Sequence, residues 1–210
     1  MIAKGLRLSS DLQKSTVRKD PGVQILPSAF FINKGTSMVN NTKIRKAVEK
    51  DYKILANLGA KTFRQTYKNK VKLSDMGYYI KNTFNKNQVL KEIKDTSFTI
   101  LVASKNDKAV GYAKLLKSKI PSDSKHFKGI ELVRLYVFKN YQGQKIGSKL
   151  LSECIKIAKK KKFKYIWLGV WEKNNDAIDF YKKLEFRIFG NCKFNFGTEI
   201  HNCIVSRHLS

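Results

Sequence analysis

The sequence predicts a mixed α/β sheet, and three pairs of strand-like stretches carry that prediction. Residues 129–138, GIELVRLYVF, and 164–171, KYIWLGVW, read as strands on either side of a glycine-bearing turn and an apolar-faced helix. Strand, helix and strand within about 40 residues make a βαβ crossover, right-handed with parallel strands. The stretches SFTILVAS and AVGYAKLL flank KNDK, a natural hairpin turn. FRIFGNCKFNF and EIHNCIVSRHL close the chain as an antiparallel pair.

Residues 1–40 are set apart as a basic extension, expected to be disordered. They hold six basic and two acidic residues and two of the three prolines, with no secretory apolar segment and cleavage site. A transit peptide, an upstream start or a disordered tail all remain open, and Met38 would make a sensible start. The folded domain is assigned to residues 41–210. TKIRKAV reads as a first strand, and EKDYKILANLGAKTFRQTYKNK as a helix with Tyr52, Leu55, Leu58, Ala60 and Phe63 at helical spacing. Two shorter helices follow near 74–84 and 86–94. The crossover helix runs from Ser148 to about Lys161, with Leu150, Leu151, Cys154, Ile155 and Ala158 inward. KYIWLGVW is almost wholly apolar, as a strand covered on both faces must be. NNDAIDFYKKLE is a last helix, with Asn174 as its candidate N-cap.

The formal charge of +27 and pI near 10.0 suit a polyanion partner. Only seven of the 43 basic residues are arginine, and the lysines are spread along the whole chain. Readers of nucleic acid favour the arginine fork, so a solvated basic surface is the preferred reading. No run reaches the roughly 18 apolar residues of a membrane helix. Cys154, Cys192 and Cys203 lack metal-ligand or CxxC spacing, and no metal site is expected. Cys192 and Cys203 flank the terminal hairpin, where a disulfide is conceivable, but reduced thiols in a cytoplasmic protein are preferred. His126, His201 and His208 belong to no motif. The sequence says nothing of oligomeric state.

YQGQKIGSKLL places Gly143 and Gly147 at the mouth of the crossover helix. The first N–H groups of a helix lack internal partners and sit at its positive end. Small residues let a phosphate approach them. The turn is neither GxxxxGK[ST] nor GxGxxG with a later ribose-binding acid. On spacing alone, a structural turn and a phosphate cradle remain equally open.

LYVFKNYQGQKIGSKLL resembles the first motif of the GNAT family of N-acetyltransferases, [Q/R]-x-x-G-x-[G/A], with Gln142 and Gly147 at its ends and Lys145 in place of the central glycine. NNDAIDFYKKLEF resembles the family's N-x-x-A-x-x-F-Y-x-x-x-G-F segment through Asn174, Ala177, Phe180, Tyr181 and Phe186, with Glu185 replacing the glycine. The strand and helix between 166 and 183 look like those of PaiA-type bacterial polyamine acetyltransferases. The resemblance implies a mixed, mostly antiparallel seven-stranded sheet, split at a parallel βαβ unit, with helices on both faces. It also implies acetyl-CoA as co-substrate. The pantetheine arm would lie along Leu135, Tyr136 and Val137, and the pyrophosphate on Gln142, Gly143, Gln144, Lys145, Ile146, Gly147 and Ser148. Lys145 and Lys149 either add charge near the phosphates or are solvated helix-face lysines. Asn174 caps its helix and would touch the cofactor arm.

Acetyl transfer to an amine needs a base, support for the oxyanion and a proton for the thiolate. Glu131 lies eleven residues before Gln142, where family members place a catalytic glutamate. Strand alternation sets it beside Val133, Leu135 and Val137, an apolar face on which an acid is desolvated. It reads either as the general base or as a strand-end acid paired with a lysine or Arg134. Tyr181 stands where the family's motif tyrosine protonates sulfur, and otherwise reads as a core tyrosine. A backbone N–H near Val137 is the expected oxyanion donor. PaiA-like features imply spermidine or spermine, which requires a local acidic pocket from Glu92, Asp95, Asp75, Glu131 and Glu172. The alternatives are another amine acceptor (a protein N-terminus, a lysine or an amino sugar) or a basic nucleic-acid-binding or regulatory protein.

Overall fold

A computed structural model describes residues 42–68, 70–118, 129–195 and 199–209, with the side chains of 192–195 and 199–204 outside the description. The proposed extension 1–40 and His126 therefore lie outside the described residues. Strand β1 (Thr42–Lys46) leads through a 3-10 turn to α1 (Tyr52–Tyr67), α2 (Leu73–Thr83) and α3 (Lys86–Lys94). Strands β2 (Phe98–Lys105), β3 (Lys108–Lys117) and β4 (Gly129–Val137) follow. Then come α4 (Ile146–Lys160), β5 (Tyr165–Trp171), α5 (Asn175–Lys182), β6 (Arg187–Asn195) and β7 (Glu199–His208).

The seven strands form one sheet in the order β1-β2-β3-β4-β5-β7-β6. Only β4 and β5 pair in parallel; the other neighbours are antiparallel. Asn106 and Asp107 turn β2 into β3 with φ of 49° and 57°. Two successive left-handed residues make a turn whose twist matches that of a hairpin, and Asn and Asp tolerate it best after glycine.

The helices cover both faces. Leu150, Leu151, Cys154 and Ala158 of α4 and Ala177, Ile178 and Tyr181 of α5 bury against Ile130, Leu132, Leu135, Ile166 and Leu168. On the other face Leu55, Leu58, Phe63 and Tyr67 of α1, with Tyr79 and Phe84, pack on Val102, Tyr112, Tyr136 and Trp171. Each such fully buried side chain contributes about 1.5–3 kcal/mol relative to exposure. Helix α1 is tied to β1 as well: Arg45 grips Asp51 through two hydrogen bonds of 2.7 and 2.8 Å, and Asp51 also accepts from the Val48 N–H at 2.8 Å.

Two irregularities shape the centre of the sheet. Strands β4 and β5 pair only from Gly129–Tyr165 to Glu131–Trp167, and beyond that rung no pairing joins them. Each continues with its outer neighbour, β4 to Val137 and β5 to Trp171. The sheet therefore opens in a V between Leu132–Val137 and Leu168–Trp171. The second irregularity is a bulge: Lys114 pairs with Arg134 and Leu115 with Leu132, so Val133 is an extra residue on β4. A bulge bends its strand and breaks the alternation of faces. At the terminal hairpin, Cys192 pairs with Asn202 and Cys203 with Asn191, so the two cysteines occupy neighbouring rungs rather than one.

Candidate active site

Helix α4 begins at Ile146, two residues before the expected Ser148, and no side chain caps it. Gly143 adopts φ +75°, and a Cβ added there would meet nothing within 4 Å. A Cβ at Gly147 would reach only the Phe180 ring at 3.8 Å and the Val137 methyl at 4.0 Å. Both glycines thus border open space instead of filling a packing gap. Lys145 is the N-cap, left-handed at φ 61° and ψ 12°. Ile146 is buried in the α4-side core and anchors the turn, whereas Ser148 and Lys149 are half-buried.

Gln142 donates from Nε2 to the Val137 carbonyl at 3.0 Å, while its Oε1 is buried with no hydrogen-bond partner among the described residues. Gln144 accepts from Lys105 Nζ at 2.6 Å and donates to the Asn140 carbonyl at 3.2 Å. Leu135 and Tyr136 are buried on opposite faces of β4, and Val137 is half-buried at its end.

Tyr181 lies in α5, wholly buried between Phe180 and Phe186. Its Oη has no hydrogen-bond partner among the described residues. Burial, and secondarily the neighbouring Cys154, push its phenol well above the ordinary value. The proton therefore stays on oxygen at neutral pH. Asn174 caps α5, its side chain accepting from the Ala177 N–H at 3.3 Å, while its own N–H donates to the Trp171 carbonyl at 2.8 Å. Burial raises the Cys154 thiol as well, which disarms it as a nucleophile.

Glu131 is not on the apolar face that alternation assigned to it. The extra residue Val133 breaks the period, so Glu131 lines a cavity with Val133 and Arg134, while Leu135 packs on the α4 side. The cavity, about 500 Å³, is walled by Asn82, Thr83, Asn85 and Gln88 of the α2–α3 corner and by Glu92, Phe98, Lys114 and Leu116. Glu92 accepts from Arg134 at 2.7 and 3.2 Å and pairs with Lys114 Nζ at 2.9 Å. All three side chains are nearly inaccessible.

The acidic pocket that a polycation would require is therefore not assembled as expected. Among the described residues the acids that line the cavity are Glu92 and Glu131, and Lys114 and Arg134 balance them. Glu172 is exposed, and Asp95 is spent on the Ser97 N–H at 2.8 Å. Asp75 does not line the cavity. Lys114 and Arg134 were missed as site residues, although each is a lone cation in an apolar strand run, AVGYAKLL and ELVRLYVF. His208 stacks edge-on against Tyr165 at 5.0 Å, away from the cavity lining. Among the described residues no group of three or more His, Cys, Asp or Glu could hold a metal, and no helix is long and apolar enough to cross a membrane.

Two of these features invite a ligand. The helix end without a side-chain cap, with open space at Gly143 and Gly147, is the kind of place where an anion can be held. The Tyr181 hydroxyl is buried without a hydrogen-bond partner among the described residues, a group that calls for an explanation. Comparison with known proteins agrees. Residues 62–186 match the acetyltransferase (GNAT) family. An uncharacterized N-acetyltransferase of Lactobacillus delbrueckii subsp. lactis is 24% identical over 161 residues, 77% of this chain and 93% of the relative. The spermidine N(1)-acetyltransferase of Thermoplasma acidophilum is 28% identical over 150 residues, 70% of this chain and 88% of its own. The crystal structure of the PaiA N-acetyltransferase from Thermoplasma acidophilum in complex with coenzyme A superposes with a TM-score of 0.66 and 26% identity, covering 80% of this chain and 99% of that one.

Proposed function

The chain belongs to the acetyltransferase (GNAT) family and uses acetyl-CoA, and from that premise we propose that it acetylates a terminal primary amine of a polyamine such as spermidine or spermine. Support for the acceptor class comes from the spermidine acetyltransferase among its relatives. The observation that carries the chemistry is the buried Tyr181 hydroxyl with no hydrogen-bond partner among the described residues.

Acetyl-CoA supplies an electrophilic thioester carbonyl and a thiolate leaving group. Gln142, Gly143, Gln144, Lys145, Ile146, Gly147 and Ser148 hold its pyrophosphate at the positive end of α4. Leu135, Tyr136 and Val137 offer backbone groups along the V to its pantetheine arm, with Asn174 on the opposite strand end. Glu131 takes a proton from the acceptor ammonium, directly or through one water, because an alkylamine of pKa near 10 is mostly protonated at pH 7. The freed lone pair forms the C–N bond, and a backbone N–H near Val137 donates to the developing oxyanion. As the C–S bond breaks, Tyr181 Oη gives its proton to sulfur. The second proton that the nitrogen must shed returns through solvent to the Tyr181 phenolate, restoring the hydroxyl.

A charge-balanced cavity suits the reacting nitrogen once Glu131 has taken its proton, and leaves the other ammonium groups of a polyamine outside it. The same balance favours a second reading, an acceptor with one amine, such as a protein N-terminus, a lysine or an amino sugar. A cytoplasmic setting, consistent with a buried reduced thiol at Cys154, is part of the proposal. The test is acetyl-CoA turnover by thiol release with spermidine, spermine, a lysine peptide and an amino sugar in parallel. Release with spermidine or spermine alone is expected. A different winner would remove the polyamine assignment and leave the acetyltransferase standing.

A further inference from the structure

Three charges are buried where an apolar trio would fit. Glu92 comes from α3, Lys114 from β3 and Arg134 from β4, and none has more than 6% of its side chain exposed. Burying ions is costly, and an apolar replacement of equal volume is often as stable or more so. The best-attested use of such a cluster is to fix a register.

The register here has a specific point to fix. Lys114 and Arg134 are partners on the last rung before the bulge, and the next rung is Leu115–Leu132. Leu115 and Leu132 are buried, Leu132 within the α4-side core. One side of the bulge is thus held by that core and the other by the Glu92 carboxylate, which reaches both members of the Lys114–Arg134 rung. With both sides held, two residues of β3 must span three of β4, and Val133 has to be the surplus. Without the bulge, either half of β4 slips by one residue, and positions 131 and 135 return to a common face.

We infer that Glu92 is a positioning residue: by clamping Lys114 and Arg134 side by side it pins the Val133 bulge, which keeps Glu131 in the acceptor cavity while Leu135 stays in the opposite core. The structural part stands independently; its consequence for catalysis rests on Glu131 being the base.

The experiment reads faces directly, by methyl methanethiosulfonate labelling of Glu131→Cys and of Leu135→Cys with Cys154, Cys192 and Cys203 replaced by alanine. With the triad intact, position 131 labels at least about tenfold faster than position 135, since one faces the cavity and the other a packed core. In the apolar triple variant Glu92→Met, Lys114→Met, Arg134→Leu, the two rates converge. Glu92→Gln, which keeps the shape but weakens the clamp, narrows the gap in the same direction and serves if the triple variant folds poorly. A gap unchanged in both variants overturns the inference. Turnover is measured on the same triad variants without the cysteine changes. The triple variant loses kcat with acetyl-CoA affinity unchanged, and adding Glu131→Gln costs it nothing further. If Glu131→Gln leaves the kcat of the otherwise native chain unchanged, the general-base reading fails, while the labelling still decides the register.

Discussion

Gln142 donates from its side-chain amide to the Val137 carbonyl at 3.0 Å, closing the glycine turn onto the end of β4. This bond couples the phosphate cradle to the strand that lines the V. Gln142→Glu exchanges the donor for an acceptor and sets a negative charge beside the helix end proposed to hold the pyrophosphate. The lost bond costs about 1 kcal/mol, and the helix dipole returns roughly half of that. The unliganded protein should therefore melt within a few degrees of the native one, while the Kd for CoA, measured by titration calorimetry, rises on the order of tenfold or more.

Lys145 stands at φ 61° where the family motif has glycine. A left-handed non-glycine residue carries strain on the order of 1 kcal/mol. In Lys145→Gly the relief of that strain is largely offset by the entropy glycine adds to the unfolded chain, roughly 0.5–1 kcal/mol. The unfolding free energy from urea titration should therefore rise by at most about 0.5 kcal/mol. The same change removes a charge at the phosphate site, so CoA affinity falls and its salt dependence flattens. A gain in stability with unchanged affinity would make Lys145 a solvated surface residue and no cofactor ligand.

A Cβ at Gly147 meets only ordinary contacts, so Gly147→Ala leaves the core undisturbed and serves as the folding control for Gly147→Val, which carries two more carbons into the cradle. Circular dichroism and melting should stay close to native, and CoA binding should be lost by on the order of a hundredfold. Native affinity in this variant would sink the phosphate-cradle assignment.

Tyr181 separates a chemical role from a packing role. Its hydroxyl is buried without a partner among the described residues, so deleting it removes a desolvated polar group and spares the ring contacts with Phe180 and Phe186. Tyr181→Phe should keep or slightly raise the melting temperature and leave CoA affinity intact, while kcat falls about 10²–10⁴-fold. Equal loss of affinity and turnover would mark a structural tyrosine.

What the sequence made legible was local. The Asn106–Asp107 turn, the crossover from β4 to β5 and the glycine mouth of α4 each follow from residues adjacent in the chain. The bulge was not legible, because Glu131, Val133, Leu135 and Val137 alternate as faultlessly as in a regular strand. What breaks the alternation is a carboxylate at Glu92, 42 residues from Arg134. Single charges in the runs AVGYAKLL and ELVRLYVF were its trace, and they have meaning only once paired. The acidic pocket failed for a related reason: Glu172 and Asp95 are separated from Glu131 by folds of the chain that composition does not encode.

The alkaline limb of stability reports on the same buried pair that flanks the site. Burial holds the protons of Cys154 and Tyr181 above their ordinary values of 9.0 and 10.0. Above those values the unfolded chain releases protons that the folded chain retains, so folding loses free energy as pH rises. The stabilisation is complete below about pH 9 and declines above it, by about 1.4 kcal/mol per pH unit for each group once past its unfolded value. In urea titrations between pH 8 and 11, Cys154→Ala should flatten the decline from about pH 9, and Tyr181→Phe only from about pH 10. If neither variant changes the slope, both groups titrate at their ordinary values and the sealed surroundings assigned to the Tyr181 hydroxyl are wrong.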